Sequence, residues 1–190
     1  MLQNAKVNIN MHQNDSTIKP GTLLVAHPDL TDPFFRESVV LITEVHSSGT
    51  LGFCLNQNSG LEMPEILLQY DIEWTLNDTL HIGGPVNDRA LVLIHSPEFN
   101  STNTMQITDF VAITSDKLMT EKMLMGDIPR RYKFVSGMSG WSVGQLEKEI
   151  ENDKSWLTCE ANEAIVFSDS EQQWRKAIDL CASTMIDQYI

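Results

Sequence analysis

The pentapeptide Gly140 to Gly144 has the spacing of a nucleophile elbow. Its sequence, Gly-Trp-Ser-Val-Gly, matches G-x-S-x-G, the motif that presents a nucleophilic serine in α/β-hydrolases. In that fold the acid and then the histidine follow the serine along the chain, whereas all five histidines here precede Ser142. Ser142 with Gln145 three residues later also matches a capping box. We therefore expect Ser142 to open a helix rather than to attack a substrate.

Metal and thiol chemistry have little support in the sequence. Glu44 and His46 lie two apart in a predicted strand and so share one face, but a third ligand has to come from a distant histidine. The three cysteines are far apart, and no CxxC or Cys/His ligand spacing occurs. We expect no metal and no cofactor, and we expect these cysteines to be buried and reduced: Cys54, Cys159 and Cys181.

The densest basic run has two interpretations. Arg130, Arg131 and Lys133 suffice for an anion or phosphate pocket. Alternatively, these charges flank an aggregation-prone strand and act as gatekeepers.

Three loops at predicted strand ends are the candidate site. They contain Asp32-Pro33, Gly83-Gly84-Pro85 and Gly140-Trp141, and loops of this kind often position functional groups. If the loops converge, they form a groove for a small ligand or peptide, with Trp141 as its flat apolar wall. The alternative is that they are turn and packing residues, with Trp141 simply buried. The candidate residues are Asp32, Pro33, Arg36, Gly83, Gly84, Pro85, Arg130, Gly140, Trp141 and Gln145.

Composition excludes several classes of protein. The chain has 190 residues, 42% of them hydrophobic and 21% charged, as in a globular protein rather than a disordered one. Its net charge of −13 disfavours binding to duplex DNA. No apolar stretch is long enough to span a membrane, and residues 1–17 lack the apolar region of a secretory signal. We expect a cytoplasmic protein.

Short strands interspersed with short helices must position these loops. We predict a polar tail over residues 1–19 and one α+β domain over residues 20–190, in which helices flank a bent, antiparallel-rich sheet. The strands are predicted at 22–26, 38–43, 50–55, 79–82, 90–95, 107–114 and 131–135, with a glycine-rich turn at 136–140. The helices are predicted at 64–70, from 115 or 116 to 125, from 142 to 150, and along a stripe that includes Trp174 and Cys181.

Four strings occur in order along the chain: DPFFRESVV at 32–40, GFCLN at 52–56, GGPV at 83–86 and GWSVGQLEKEI at 140–150. Together they resemble the YqgE/AlgH family of bacterial cytoplasmic proteins, and the resemblance extends from about Gly21 to Ala182. It implies a single α+β domain whose sheet rolls into a partial barrel. The family's biochemical activity is unassigned, and one branch is described as a candidate transcriptional regulator.

Two functional hypotheses follow. The first is a non-catalytic cytoplasmic binding or regulatory protein, which acts through an unknown protein or a small anionic ligand and does not bind DNA directly. The alternative is an enzyme of unknown class that uses the loop cluster around Asp32, Gly83-Gly84-Pro85 and Gly140-Trp141, with Asp32 or a histidine as base. The oligomeric state cannot be read from the sequence.

Overall fold

The computed structural model describes residues 18–69 and 71–187. The predicted tail, residues 1–19, therefore lies almost entirely outside the described residues. Within them the chain forms ten strands and five helices. The strands are β1 (Thr22–Ala26), β2 (Val39–His46), β3 (Gly49–Cys54), β4 (Asn58–Glu62), β5 (Thr79–Ile82), β6 (Val86–His95), β7 (Met105–Thr108), β8 (Val111–Thr114), β9 (Tyr132–Ser142) and β10 (Trp156–Glu160). The helices are α1 (Met63–Leu68), α2 (Lys117–Leu124), α3 (Gln145–Glu151), α4 (Glu163–Val166) and α5 (Ser170–Asp187).

The strands form one curled sheet. Its order is β10-β1-β2-β3-β9-β6-β8-β7, and β5 joins β9 from the side with β4 as its own neighbour. Every one of these pairings is antiparallel except β5 with β9. The sheet curls into a half-barrel with helices packed on it, which confirms the predicted α+β class and partial barrel.

Strand β9 differs most from the sequence expectation. The glycine and serine content of residues 136–140 predicts a turn, but these residues continue the strand. The first part of β9 pairs with β5 and β6, and its last four residues pair with β3. Gly137 lies two residues before the part that pairs with β3 and has a φ of 75°, a conformation that glycine adopts without steric cost. This residue lets one strand change partners and curve the sheet.

The other elements are close to their predicted positions. β1 matches its predicted bounds, and β2 and β3 form the predicted hairpin. Asp116 caps α2 as expected, since its Oδ1 accepts the Met119 N–H at 2.8 Å. The single strand predicted at 107–114 is two paired strands, β7 and β8. β4, β10 and α4 are too short or too irregular in hydrophobic pattern to have been predicted.

Apolar clusters cover both faces of the sheet. In β1, Leu23 and Val25 face a cluster that includes α5, whereas Leu24 and Ala26 face a cluster that includes Trp141. A third cluster lies under α1 and α2. The predicted burial of the cysteines is confirmed, because Cys54, Cys159 and Cys181 are buried and free of disulfides. None of the helices in the described part of the chain is long and apolar enough to cross a membrane.

Candidate functional site

One cavity brings together half of the candidate residues. The loop after β1, the start of β6, the end of β9 and helix α3 enclose a volume of about 460 Å³. The candidate residues among its lining are Asp32, Pro85, Gly140, Trp141 and Gln145. The other lining residues are Leu30, Phe35, Glu149, Asp153, Ser155 and Trp156. We call this space the aromatic cavity.

Glu149 organises the wall of the aromatic cavity. Its Oε2 accepts hydrogen bonds from the indole N–H groups of Trp141 and Trp156, each at 2.9 Å. Its Oε1 accepts from the Gln145 side-chain amide, also at 2.9 Å. Buried indole N–H groups require a partner, and one carboxylate satisfies both. The orientation of the two tryptophans therefore depends on a single side chain of α3.

Phe35 completes an aromatic cluster with the two tryptophans. Its ring centroid lies 5.4 Å from that of Trp156 and 6.3 Å from that of Trp141, and the two indoles are 6.1 Å apart. The Phe35–Trp156 and Trp141–Trp156 pairs are close to perpendicular, at 77° and 81°, the edge-to-face arrangement that aromatic quadrupoles favour. Trp141 is buried, as the packing alternative expected, and it also lines the cavity.

Asp32 fixes the loop that carries Phe35. Its Oδ1 accepts the backbone N–H groups of Phe34 and Phe35 at 2.9 and 2.8 Å. Its backbone carbonyl accepts the Arg36 N–H at 3.0 Å. Asp32 is therefore a turn-capping residue whose carboxylate stands at the edge of the aromatic cavity.

The predicted capping box forms only in part. Gln145 Oε1 accepts the Ser142 N–H at 3.0 Å, which is the reciprocal half of the motif. The helix begins later than predicted, however, because Gly144 in the left-handed region precedes Gln145 as the N-cap and no side chain caps it. Ser142 ends β9 instead, and Val143, within the helix predicted from 142 to 150, lies before α3 and is 71% exposed.

Gly83 and Gly84 pack their backbone directly against β9. The Gly83 N–H donates to the Ser136 carbonyl at 2.7 Å, and the Gly83 carbonyl accepts from the Cys54 N–H at 2.7 Å. A Cβ on Gly84 would lie 2.0 Å from the Met138 carbonyl carbon. These glycines allow the chain to cross β9 at close range, so the Gly83 amide is not available to an anion.

Pro33 and Arg36 face away from the aromatic cavity. They line a separate depression of about 310 Å³ between their loop and α5. Gln57 lies in the same depression and donates to the Phe34 carbonyl at 2.8 Å. Asp32 therefore lines the aromatic cavity, whereas Pro33 and Arg36 of the same loop line this separate depression.

The basic run is divided between the surface, where Arg130 and Arg131 lie, and the interior, where Lys133 lies. Arg130 and Arg131 precede β9, whereas Trp141 lies near its far end. Both guanidinium groups approach the Glu163 carboxylate, at 3.4 and 3.6 Å. Lys133 is buried and does not act as an exposed gatekeeper. Arg130 therefore lies at the opposite end of β9 from the Gly140-Trp141 segment and does not line the aromatic cavity.

The charge of the aromatic cavity favours a cation. Its lining includes three carboxylate side chains, Asp32, Glu149 and Asp153, and no lysine or arginine. Carboxylates and aromatic rings that line the same cavity suit an ammonium or guanidinium group. This cavity disfavours the small anion that the sequence analysis anticipated.

The structure places no third metal ligand beside Glu44 and His46 among the described residues. Glu44 Oε2 and His46 Nε2 lie 2.7 Å apart on the exposed end of β2. Across the described ranges, no group of three or more histidine, cysteine, aspartate or glutamate side chains is placed to hold a metal ion.

Sequence reasoning missed Phe35, Glu149 and Trp156 as lining residues. The i, i+4 spacing of Gln145 and Glu149 does place them on one face of α3, beside Trp141. Trp156 reaches the cavity through the pairing of β10 with β1, a contact between strands far apart in the chain. No local pattern indicates that pairing.

Comparisons with known proteins agree with this architecture. A family model described as AlgH-like, DUF179, matches residues 23–185. A UPF0301 protein of Shewanella denitrificans is 38% identical over 161 residues, covering 82% of this chain and 86% of the relative. A UPF0301 protein of Aliivibrio fischeri is 34% identical over 166 residues, covering 83% and 88%.

Two solved structures resemble the fold. The solution structure of AlgH from Pseudomonas aeruginosa matches with a TM-score of 0.74 and 27% identity, and the match covers 90% of this chain and 93% of that one. A crystal structure from Corynebacterium diphtheriae matches with a TM-score of 0.70 and 23% identity, covering 84% and 85%.

Proposed function

This chain belongs to the AlgH-like family, and from that premise we propose that it is a binding protein with a regulatory role, whose aromatic cavity binds a partner without catalysing a reaction. Its partner is a protein, and the contact is a lysine or arginine side chain of that partner held in the aromatic cavity. The family membership is consistent with such a role but does not specify it, since the relatives carry only the UPF0301 designation.

The observation that carries the proposal is the combination of rings and carboxylates in one cavity. The half-buried Phe35 offers more ring surface than Trp141 and Trp156, which are 5% and 4% exposed, and the exposed Asp32 and Asp153 add negative charge to the lining. A cation over an aromatic face gains about 0.5–2 kcal/mol, and a carboxylate beside it adds a charge-assisted hydrogen bond. A volume of about 460 Å³ is in the range of pockets that bind small groups.

A pair of matched peptides tests the proposal. One peptide has a single arginine in a Gly/Ser context, and the other has citrulline, which has nearly the same shape but no charge. We expect the arginine peptide to change the tryptophan fluorescence and the citrulline peptide to bind at least about tenfold more weakly, because the charge supplies about 1.4 kcal/mol or more. Equal responses to both peptides, or none to either, would contradict the proposal.

Variants locate the site. Asp153→Asn removes a rim charge without touching the tryptophans, and we expect it to weaken arginine-peptide binding about two- to fivefold, the value of an exposed charge pair. Glu147→Gln is the matched control, because Glu147 is an exposed carboxylate on α3, six residues before Asp153, and does not line the cavity. A similar loss in both variants would indicate a general charge effect rather than binding in the cavity.

A further inference from the structure

A second cavity, lined by none of the candidate residues, contains a serine, a histidine and a lysine in contact. It measures about 500 Å³ and lies between β5, the first half of β9 and the start of α5. His81 Nε2 is 2.8 Å from Ser170 Oγ, and Lys133 Nζ donates to the same oxygen at 3.2 Å. All three residues are among its lining, so we call it the serine cavity.

The direction of each hydrogen bond follows from the partners of Lys133. Its ammonium also donates to the Leu55 carbonyl and to Gln173 Oε1, each at 3.1 Å. The orientation of the Gln173 amide is fixed, because its NH₂ group donates to two carbonyls of α4. Lys133 therefore faces three acceptors and uses its three donors as a protonated amine. Burial lowers the pKa of Lys133 to about 8, which leaves it mostly protonated at neutral pH.

Ser170 has one hydroxyl hydrogen, and only His81 can accept it. Lys133 offers donors alone, so the Ser170 O–H donates to His81 Nε2. The His81 proton then resides on Nδ1, which lies 3.3 Å from the Phe134 carbonyl and donates to it. Burial, with the positive charge of Lys133 as a second cause, lowers the pKa of His81 to about 4. His81 is therefore neutral at pH 7, with a free lone pair directed at the serine.

These contacts form one directed chain, from Lys133 through Ser170 and His81 to the Phe134 carbonyl. It contains the parts of an activated nucleophile: a hydroxyl, a base within reach, and a third group that orients the base. Ser170 also begins the 18-residue helix α5, and Asp169 accepts the next two backbone N–H groups, with its Oδ1 2.9 Å from the Glu171 nitrogen and its carbonyl oxygen 3.2 Å from the Gln172 nitrogen.

We propose that Ser170 is a nucleophile and His81 its general base, in a site that hydrolyses small uncharged carboxylic esters. Ser170 Oγ attacks the ester carbonyl carbon while its proton passes to His81 Nε2. The carbon–oxygen bond to the alcohol then breaks, and the alcohol leaves with that proton. Water attacks the acyl group on Ser170 and gives its proton to His81, which returns it to Ser170 Oγ as the carboxylic acid departs.

The lining of the serine cavity selects against anions. Asp78, Asp169 and Glu171 line it, and its one lysine already uses all of its donors. Phosphate esters and free acids would meet negative charge without a free cation to offset it. Neutral esters would instead meet the side-chain amides of Asn58 and Asn77 and the ring of Phe167.

Fluorophosphonate labelling of the full chain tests the proposal. The reagent loses fluoride as Ser170 Oγ bonds to phosphorus, so the label is covalent and reports activation even where turnover is slow. A base with a pKa of about 4 is weak, which favours this readout over steady-state hydrolysis. We expect mass spectrometry of the digested protein to place the label on Ser170. Labelling of other serines, or no labelling, would overturn the proposal.

Three variants test whether His81 activates Ser170 or whether the reagent labels an ordinary serine. We expect Ser170→Ala to abolish labelling and His81→Gln to slow it about 100-fold, since glutamine keeps a hydrogen-bond acceptor but cannot take the proton. Ser142→Ala is the matched control, because Ser142 belongs to the G-x-S-x-G sequence but does not line the serine cavity, and it should label like the original chain. Equal labelling rates for folded His81→Gln and the original chain would also overturn the proposal. Peptide binding at the aromatic cavity is a separate measurement, so either proposal can fail alone.

Discussion

At the scale of single residues, Glu149 is the side chain on which the aromatic cavity depends most. It accepts both indole N–H groups of the cavity wall and the Gln145 amide. Trp141 and Trp156 are 5% and 4% exposed, so water cannot easily replace this partner. The carboxylate thus contributes to stability as well as to the charge of the site.

We expect Glu149→Ala to lower the free energy of unfolding by about 2–4 kcal/mol, because it leaves two buried indole donors without an acceptor. Urea unfolding followed by circular dichroism measures the loss. Tryptophan emission of the folded variant should also shift to longer wavelength as the rings loosen.

Glu147→Ala is the control for this variant, because it removes an exposed carboxylate from the same helix and should change stability by no more than about 0.5 kcal/mol. If the two variants were equally stable, the role assigned to the Glu149 hydrogen bonds would be wrong.

The residue scale also shows where sequence reasoning reached its limit. G-x-S-x-G drew attention to Ser142, whose backbone only ends a strand and bonds to Gln145. The serine with an activating environment is Ser170, and its histidine is 89 positions away in the chain. No spacing rule links the two, because β5 brings His81 to the start of α5 only after the sheet has formed.

At the scale of elements, β9 explains which strands could be predicted. β1 and β2 contain continuous apolar runs, β3 follows β2 across a hairpin turn, and the predicted bounds of all three lie within a few residues of the structure. The glycines of β9 indicate a turn by composition, but residues 136–140 continue the strand, and Gly83 and Gly84 cross it at close range. A close backbone approach and a turn select the same residue type, so a single sequence does not distinguish them.

Substitution of Gly84 tests whether its lack of a side chain is needed for the close approach to β9. We expect Gly84→Ala to destabilise the protein by about 3 kcal/mol, because its Cβ would overlap the backbone at Met138 and Ser139 and one of the two segments would have to move. Thermal unfolding measures the effect.

Gly140→Ala is the matched control, because its Cβ would meet only the Leu51 side chain, at 3.4 Å. It should stay within about 1 kcal/mol of the original chain. A mild Gly84→Ala variant would show that the crossing is looser than described.

At the scale of the whole molecule, the net negative charge is accompanied by ion pairs that occupy several of the lysines and arginines. Several exposed lysines and arginines lie within 4 Å of a carboxylate, as in the pairs Lys19–Glu160, Lys122–Asp127 and Arg130–Glu163. A net charge of −13 therefore comes with positive charges that are partly neutralised in place. The overall charge could be calculated from the sequence, but this pairing could not, because Lys19 and Arg130 meet partners that are distant in the chain.

We expect no measurable binding to duplex DNA below about 100 µM at about 0.15 M salt, because release of counterions requires a cluster of free cations. Fluorescence anisotropy with a labelled duplex measures this, and a basic DNA-binding domain serves as the positive control. Submicromolar binding that weakens with salt would contradict the expectation.

The position of β9 also affects how the chain acquires its structure during synthesis. β3, β5 and β6 all hydrogen-bond to β9, and β1 has its outer edge covered by β10, yet β9 and β10 come late in the chain. On a ribosome, the earlier strands emerge with open edges and wait for residues 132–160. Non-local pairing of this kind makes folding slow, and exposed strand edges invite association between nascent chains. Completion of the sheet is therefore a late, concerted event, in which one strand joins both halves of the molecule.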